Sequence, residues 1–211
     1  MKKLTSTLFI IFLIFFSKAF AAENEIVKRI TEGEESAKIT IIAYESLTCG
    51  HCANFHKDVY PELKKDFIDK GLVRIEFRHF PLDLAAFNAS KLAQCNNDGN
   101  ADVLNILYSG QKKWARGGTP EEATKYLKRF LEDQKIFYIY GKDDAEERER
   151  ARAIVEKCMT DKSIEDYVLN DRIEGVKKFE VNATPTIIIN DKKFDKALNY
   201  KNLKKYLEKL I

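Results

Sequence analysis

Along the chain, apolar and polar positions alternate with two different periods. Between Lys38 and Glu45, the residues Ile39, Thr40, Ile41, Ile42 and Tyr44 form a nearly unbroken β-branched and aromatic run, the pattern of a strand covered on both faces. From Leu72 to His79 the period is two: Val73, Ile75 and Phe77 alternate with Arg74, Glu76 and Arg78, which predicts a second strand. Between these runs Phe55, Val59, Leu63 and Phe67 recur four apart. That spacing predicts a helix from about Gly50 to Lys70, kinked at Pro61 and ended by Gly71.

Residues 82 to about 160 read as helical. Ala85–Cys95 and Ala101–Trp114 are amphipathic, and Thr119 offers an N-cap with Pro120 at the first helical position. Lys142–Arg152 mixes charges of both signs, the composition of a solvated helix face. The α/β pattern then resumes: a helix over Ser163–Phe179, a strand at Ile187–Ile189, a turn at Asn190-Asp191, a short strand at Lys192–Phe194 and a closing helix over Tyr200–Leu210. The order is βαβ, helices, then α–ββ–α. It predicts an α/β architecture, a thioredoxin fold interrupted by an all-helical insertion: residues 22–81 and 163–211 make the fold and 82–162 the insertion.

The first residues stand outside this pattern. Lys2 and Lys3 precede an apolar run from Leu8 to Phe16, and Ala19-Phe20-Ala21 follows. Basic, apolar, small-x-small is the order of a secretory signal peptide, with cleavage expected after Ala21. The alternative, a membrane anchor, needs roughly 20 apolar residues, and this run is far shorter. Removing residues 1–21 takes away Lys2, Lys3 and Lys18 and no acid, so 36 basic against 33 acidic residues become 33 of each. The charge argument for nucleic acid or an anionic membrane surface goes with them.

Four cysteines remain: Cys49, Cys52, Cys95 and Cys158. An even count in an exported chain points to disulfides, because oxidising compartments let them persist. A Cys95–Cys158 bridge is expected; the alternative is two buried free thiols. Cys49-Gly50-His51-Cys52 has a chemical purpose where it stands, between a strand and a helix. Unpaired N–H groups and the positive end of the helix dipole stabilise a thiolate at a helix start. Cys49 would be the exposed, attacking sulfur and Cys52 the resolving one. His51 adds an imidazole whose protonated form favours the thiolate. A zinc site is the competing reading, but it needs about four ligands. Cys49, Cys52, His51 and His56 have no second cysteine pair to join them, so neither metal nor cofactor is expected.

Pro185 is the second chemical signal. A proline entering a strand forfeits a ladder hydrogen bond. In a thioredoxin fold a cis proline before the third core strand faces the cysteine pair; the alternative is a trans proline in an ordinary turn. The cis form exposes the backbone of the residue before it, here Thr184, to an extended substrate; Gly50 is the other substrate-facing candidate.

Tyr44-Glu45-Ser46-Leu47-Thr48-Cys49-Gly50-His51-Cys52-Ala53-Asn54-Phe55-His56, with Phe77-Arg78-His79-Phe80-Pro81-Leu82-Asp83 and Thr184-Pro185-Thr186, resembles the DsbA-like family over about residues 24–211. The resemblance implies an exported, periplasmic enzyme that oxidises reduced substrate proteins by disulfide transfer and is reoxidised by a quinone-linked membrane partner. By position it makes Cys49 the nucleophile, Cys52 the resolving thiol and Pro185 the cis proline. One departure stands out. Relatives often carry an acid six residues before the first cysteine, where this chain has Ala43. Glu45 lies on the same strand face, either as a buried proton acceptor for Cys52 or as a solvated strand end. A disulfide isomerase or reductase is the competing function. Dedicated isomerases of the superfamily usually add an N-terminal dimerisation domain, and only Ala22–Ala37 precede the first strand here, which favours a monomer. A non-catalytic surface protein is the third reading, and an intact Cys-x-x-Cys speaks against it.

Overall fold

The computed structural model describes residues 26–138 and 143–211. The signal segment expected at 1–21 lies outside them. Five strands form one sheet: β1 (Ile30–Glu32), β2 (Ile39–Glu45), β3 (Val73–His79), β4 (Thr186–Ile189) and β5 (Lys192–Lys193), in the order β1-β3-β2-β4-β5. β2 and β3 run parallel with Ala43 beside Phe77 and Glu45 beside His79, while β1, β4 and β5 pair antiparallel with their neighbours. Central β2 explains its own composition. Ile39, Ile41 and Ala43 enter the main core, and Ile42 and Tyr44 pack on the other face against Phe80, Val181 and Ile188. With both faces covered, every position of the strand gains from being apolar, roughly 1.5–3 kcal/mol for a large aliphatic side chain.

The helix expected over Gly50–Lys70 is broken. It runs as α1 (Gly50–Asp58), α2 (Tyr60–Leu63) and a π-helical turn at Lys64–Ile68. Val59 at the first break is stretched to φ −118°. Pro61 has no N–H for the carbonyl four residues back, and it sits in the first turn of α2, where that donor is not missed. Phe55, Val59, Leu63 and Phe67 stay buried in spite of the breaks. Gly71, with φ +69°, makes the left-handed turn into β3.

The insertion comprises α3 (Leu84–Ala93), α4 (Asp102–Ser109), α5 (Gln111–Trp114), α6 (Pro120–Asp133) and α7 (Ala145–Thr160). The single helix expected over Ala101–Trp114 divides at Gly110. A Cβ there would lie 2.0 Å from the Phe130 ring of α6, so the close approach of α6 requires glycine. Thr119 caps α6, accepting from the Glu122 N–H, with Pro120 next in the chain. A disulfide joins Cys95, just after α3, to Cys158 of α7. Among the described residues no helix is long and apolar enough to cross a membrane.

α8 (Lys162–Phe179) returns to the sheet, and α9 (Tyr200–Leu207) closes the chain. Asp171 of α8 is buried, accepting from the Arg29 guanidinium at 2.8 Å and from the His79 N–H at 3.0 Å. This anchor holds β1, a strand too short to register as a pattern in the sequence. Asn190 and Asp191, both with positive φ, turn β4 into β5.

The Cys95–Cys158 bridge closes a 63-residue separation, so chain entropy assigns it about 4 kcal/mol. A Cys95→Ala/Cys158→Ala variant should lose about that much in denaturant titration while Cys49 keeps its reactivity; an unchanged midpoint refutes the stabilising role.

Candidate active site

β2 delivers the chain to the site. Ser46, Leu47 and Thr48 carry it past the end of the strand to Cys49, extended at φ −77°, ψ 120° and standing as the N-cap of α1. No side chain caps this helix, so its leading N–H groups are free to meet the sulfur. Cys49 is half-buried and Cys52, one turn on, is wholly buried. The loop is pinned from the insertion. Thr48 Oγ1 donates to Asp83 Oδ2 at 2.7 Å, and Asp83 in turn caps α3. Gln111, buried at the start of α5, donates from Nε2 to the carbonyls of Leu47 (2.8 Å) and Cys49 (3.0 Å).

The two sulfurs are driven apart in acidity. The Cys49 thiol falls from 9.0 to about 5. The hydrogen bond from the Cys52 thiol is the main cause; burial opposes it, and the Thr184 side chain and the N–H groups of Cys52 and His51 add to it. Burial pushes the Cys52 thiol far up, helped by its bond to Cys49 and by the charge of Glu45. The reduced pair is therefore a thiolate at Cys49 beside a thiol at Cys52.

Thr184 and Pro185 join them across 135 residues of sequence. Their peptide bond is cis, and the Cys49 sulfur, when protonated, donates to the Thr184 carbonyl at 3.3 Å. A groove of about 490 Å³ runs beside this contact, lined by His51, Phe55, Val59, Pro185, Leu198 and Tyr200. Gly50 is exposed and a Cβ there would meet nothing within 4 Å, so the fold itself does not demand glycine. His51 is exposed, and its backbone N–H is among the groups that lower the Cys49 thiol.

Glu45 is buried, not a solvated strand end; its Oε2 lies 2.8 Å from His56 Nε2. His56, considered from sequence only as a zinc ligand, Tyr108, whose ring stacks on His56, and Gln111 were not legible as site residues. For His56 a signal existed: it follows Cys52 by four, on the same helix face. Gln111 offered none, since its contacts span more than 60 residues. Among the described residues no group of three or more His, Cys, Asp or Glu side chains is placed to hold a metal ion.

A thioredoxin family model matches residues 25–209, nearly all of the described chain. The chain belongs to the thioredoxin family. Within the thioredoxin family its likeness is to DsbA proteins. Wolbachia pipientis alpha-DsbA1 superposes with a TM-score of 0.70 at 26% identity, covering 89% of this chain and 94% of that one. The Bacillus subtilis disulfide bond formation protein D is 26% identical over 186 residues, 84% of this chain and 74% of its own. A Rickettsia bellii relative, named as a proposed protein-disulfide oxidoreductase, is 34% identical over 131 residues. The match covers 54% of this chain and about half, 48%, of that relative's length. Bacillus subtilis BdbD, at 23% identity and a TM-score of 0.62, shares the fold.

In the reduced protein, a thiol-alkylating reagent should label Cys49 with a half-maximal rate near pH 5 and leave Cys52 unlabelled until denaturation. Equal labelling would refute the asymmetry. The lowered Cys49 value also sets a sign for stability. The reduced form gains with rising pH from about 5 to the unfolded thiol's 9 and loses that gain as pH falls back through about 5. The oxidised form has no such group, so the melting temperature of reduced minus oxidised protein should climb across that window. Gln111→Leu should cost about 1–3 kcal/mol by leaving buried carbonyls short of a donor and raise the alkylation midpoint; a stability loss with an unmoved midpoint would make Gln111 merely structural.

Proposed function

We propose that this chain is an exported dithiol oxidase that introduces disulfides into reduced substrate proteins. The observation that carries the reading is the asymmetry of its two sulfurs, a stabilised thiolate at half-buried Cys49 against a thiol at buried Cys52. Stabilising the thiolate stabilises the reduced protein, and a stable reduced form makes the disulfide a stronger oxidant.

In the cycle that follows, a substrate thiolate attacks Cys49 Sγ and the Cys49–Cys52 bond breaks. A mixed disulfide joins substrate to Cys49 while the electron pair leaves on Cys52 Sγ. Cys52, whose burial favours the neutral thiol, takes a proton, and Glu45 is the proton donor and acceptor at hand. A second substrate thiolate then attacks its own sulfur in the mixed disulfide. Cys49 departs as the thiolate that the helix start and Thr184 hold. The cis Thr184–Pro185 peptide presents the Thr184 backbone to the substrate, and exposed Gly50 leaves room for it. His51 contributes its N–H; a contribution from its ring would show as a higher alkylation midpoint in His51→Gln. Export to the periplasm and reoxidation by a quinone-linked membrane partner complete the reading, supported by the residue pattern of the first 21 positions and the likeness to DsbA proteins.

The test is an equilibrium with glutathione together with two activity assays. An oxidase should show a reduction potential less negative than about −200 mV, against about −270 mV for a thioredoxin. It should oxidise a reduced, unfolded substrate rapidly and reshuffle a scrambled one poorly. A thioredoxin-like potential, or reshuffling faster than oxidation, would favour the reductase or isomerase instead.

A further inference from the structure

Behind the thiols lies a buried polar cluster whose histidine has no part in the exchange so far. His56 Nε2 is 2.8 Å from Glu45 Oε2, and both side chains are almost wholly enclosed, at 5% and 3% exposure. On its other side, Nδ1 of His56 meets Asn105 Oδ1 at 3.2 Å. That oxygen is an acceptor, so Nδ1 carries a hydrogen. The ring stacks on Tyr108 with centroids 4.0 Å apart and has Tyr60 and Phe77 at 5.4 Å, which leaves it no room to turn.

With Nδ1–H occupied, the bond between Nε2 and Oε2 holds one proton. Placed on nitrogen it makes an ion pair, and placed on oxygen a neutral pair; the net charge is zero either way, which a buried site favours. The second carboxylate oxygen, Glu45 Oε1, is buried and has no hydrogen-bond partner among the described residues. The Glu45 charge acts on Cys52 of α1, Tyr108 of α4 and His79 of β3; His79 is its register partner across the sheet, and Cys52 lies one turn before His56 on the same face of α1. His56, Tyr60, Asn105 and Tyr108 line a groove of about 1180 Å³ beside α1. His56 thus stands one helical turn from Cys52 and among the residues that line the groove.

We propose that Glu45 and His56 act as one proton-holding pair that gives Cys52 its proton when the disulfide opens and takes it back when the disulfide closes, with His56 as the positioning residue that refills Glu45 from the groove. This rests on the Glu45 role in the oxidase reading. When substrate sulfur bonds to Cys49 Sγ and the Cys49–Cys52 bond breaks, Cys52 Sγ takes the carboxyl proton. That leaves a Glu45 carboxylate against a neutral imidazole. A groove water then gives a proton to His56 Nε2, the nitrogen left bare when the carboxyl proton departs, and the hydroxide left over passes to solvent; the pair is net-neutral again. Reoxidation runs the same transfer backwards, the pair accepting the Cys52 proton and passing it out.

The experiment follows reduction of the oxidised protein by dithiothreitol in rapid mixing, for the wild type, Glu45→Gln, His56→Gln and the double variant. Each single change should slow reduction about a hundredfold, the low end of what a positioned acid–base group contributes. The double variant should be no slower than either single, because groups acting as a unit are not additive. The alkylation midpoint of Cys49, which neither residue sets, should stay near 5, and a shifted midpoint in His56→Gln would make His56 a structural residue instead. Added imidazole should restore speed to His56→Ala through the groove. Should the single variants fail to fold, the neutral double variant and a slower wild-type reaction in heavy water carry the test. Effects that multiply in the double variant, or a wild type indifferent to heavy water, overturn the proposal. A slow Glu45→Gln beside a wild-type rate in His56→Gln overturns the pair and leaves the Glu45 role standing. Wild-type rates throughout overturn both.

Discussion

A negative charge on one half-buried sulfur is what the architecture around Cys49 is arranged to hold. The charge sits where an uncapped helix begins, so that backbone N–H groups, the neighbouring thiol and the Thr184 side chain converge on it. None of these donors is exotic; their value lies in being fixed before the charge forms. The sheet does the fixing. β2, paired on both sides and buried on both faces, sets where the loop before Cys49 emerges, and antiparallel β4 brings the Thr184–Pro185 turn to the same end. Cys52 completes the device by being neutral. Buried and one turn on, it donates to the thiolate instead of competing with it for charge.

Much of this was legible in the sequence, for identifiable reasons. The strand–loop–helix around Cys49 and the strand at Val73–His79 each rest on strong, local hydrophobic periods, and the structure forms them. The Thr184–Pro185 cis bond is the kind of feature a proline at a strand entrance announces. Local pattern was less informative where distant contacts decide. The break at Val59 and the division at Gly110 reflect a missing N–H and an aromatic ring from another helix. β1 is three residues long and owes its place to β3 and to the Arg29–Asp171 pair. For Glu45, strand alternation gives the face but not the cover, so the sequence is compatible with two environments. The covering groups, His56 and Tyr108, come from helices on either side of more than 40 intervening residues.

Burial of the Glu45–His56 pair also bears on how tightly the insertion is joined to the rest. The histidine belongs to α1, its stacking partner Tyr108 and its hydrogen-bond partner Asn105 to α4, and the carboxylate to β2. Three elements from the two parts of the fold meet at one ring, and prising them apart would expose a charge pair to unequal solvation. The polar cluster therefore specifies one seating of the insertion against the sheet, a geometric role distinct from any proton it carries.

Gln111 has a consequence of a mechanical kind. Its amide is rooted in the insertion and grips two carbonyls of the loop that carries the reactive sulfur. The insertion cannot rock away from the sheet without letting go of those carbonyls, and the carbonyls cannot turn without moving the sulfur against its donors. With the Thr48–Asp83 bond beside it, the grip makes the helical part and the nucleophile's loop move as one body.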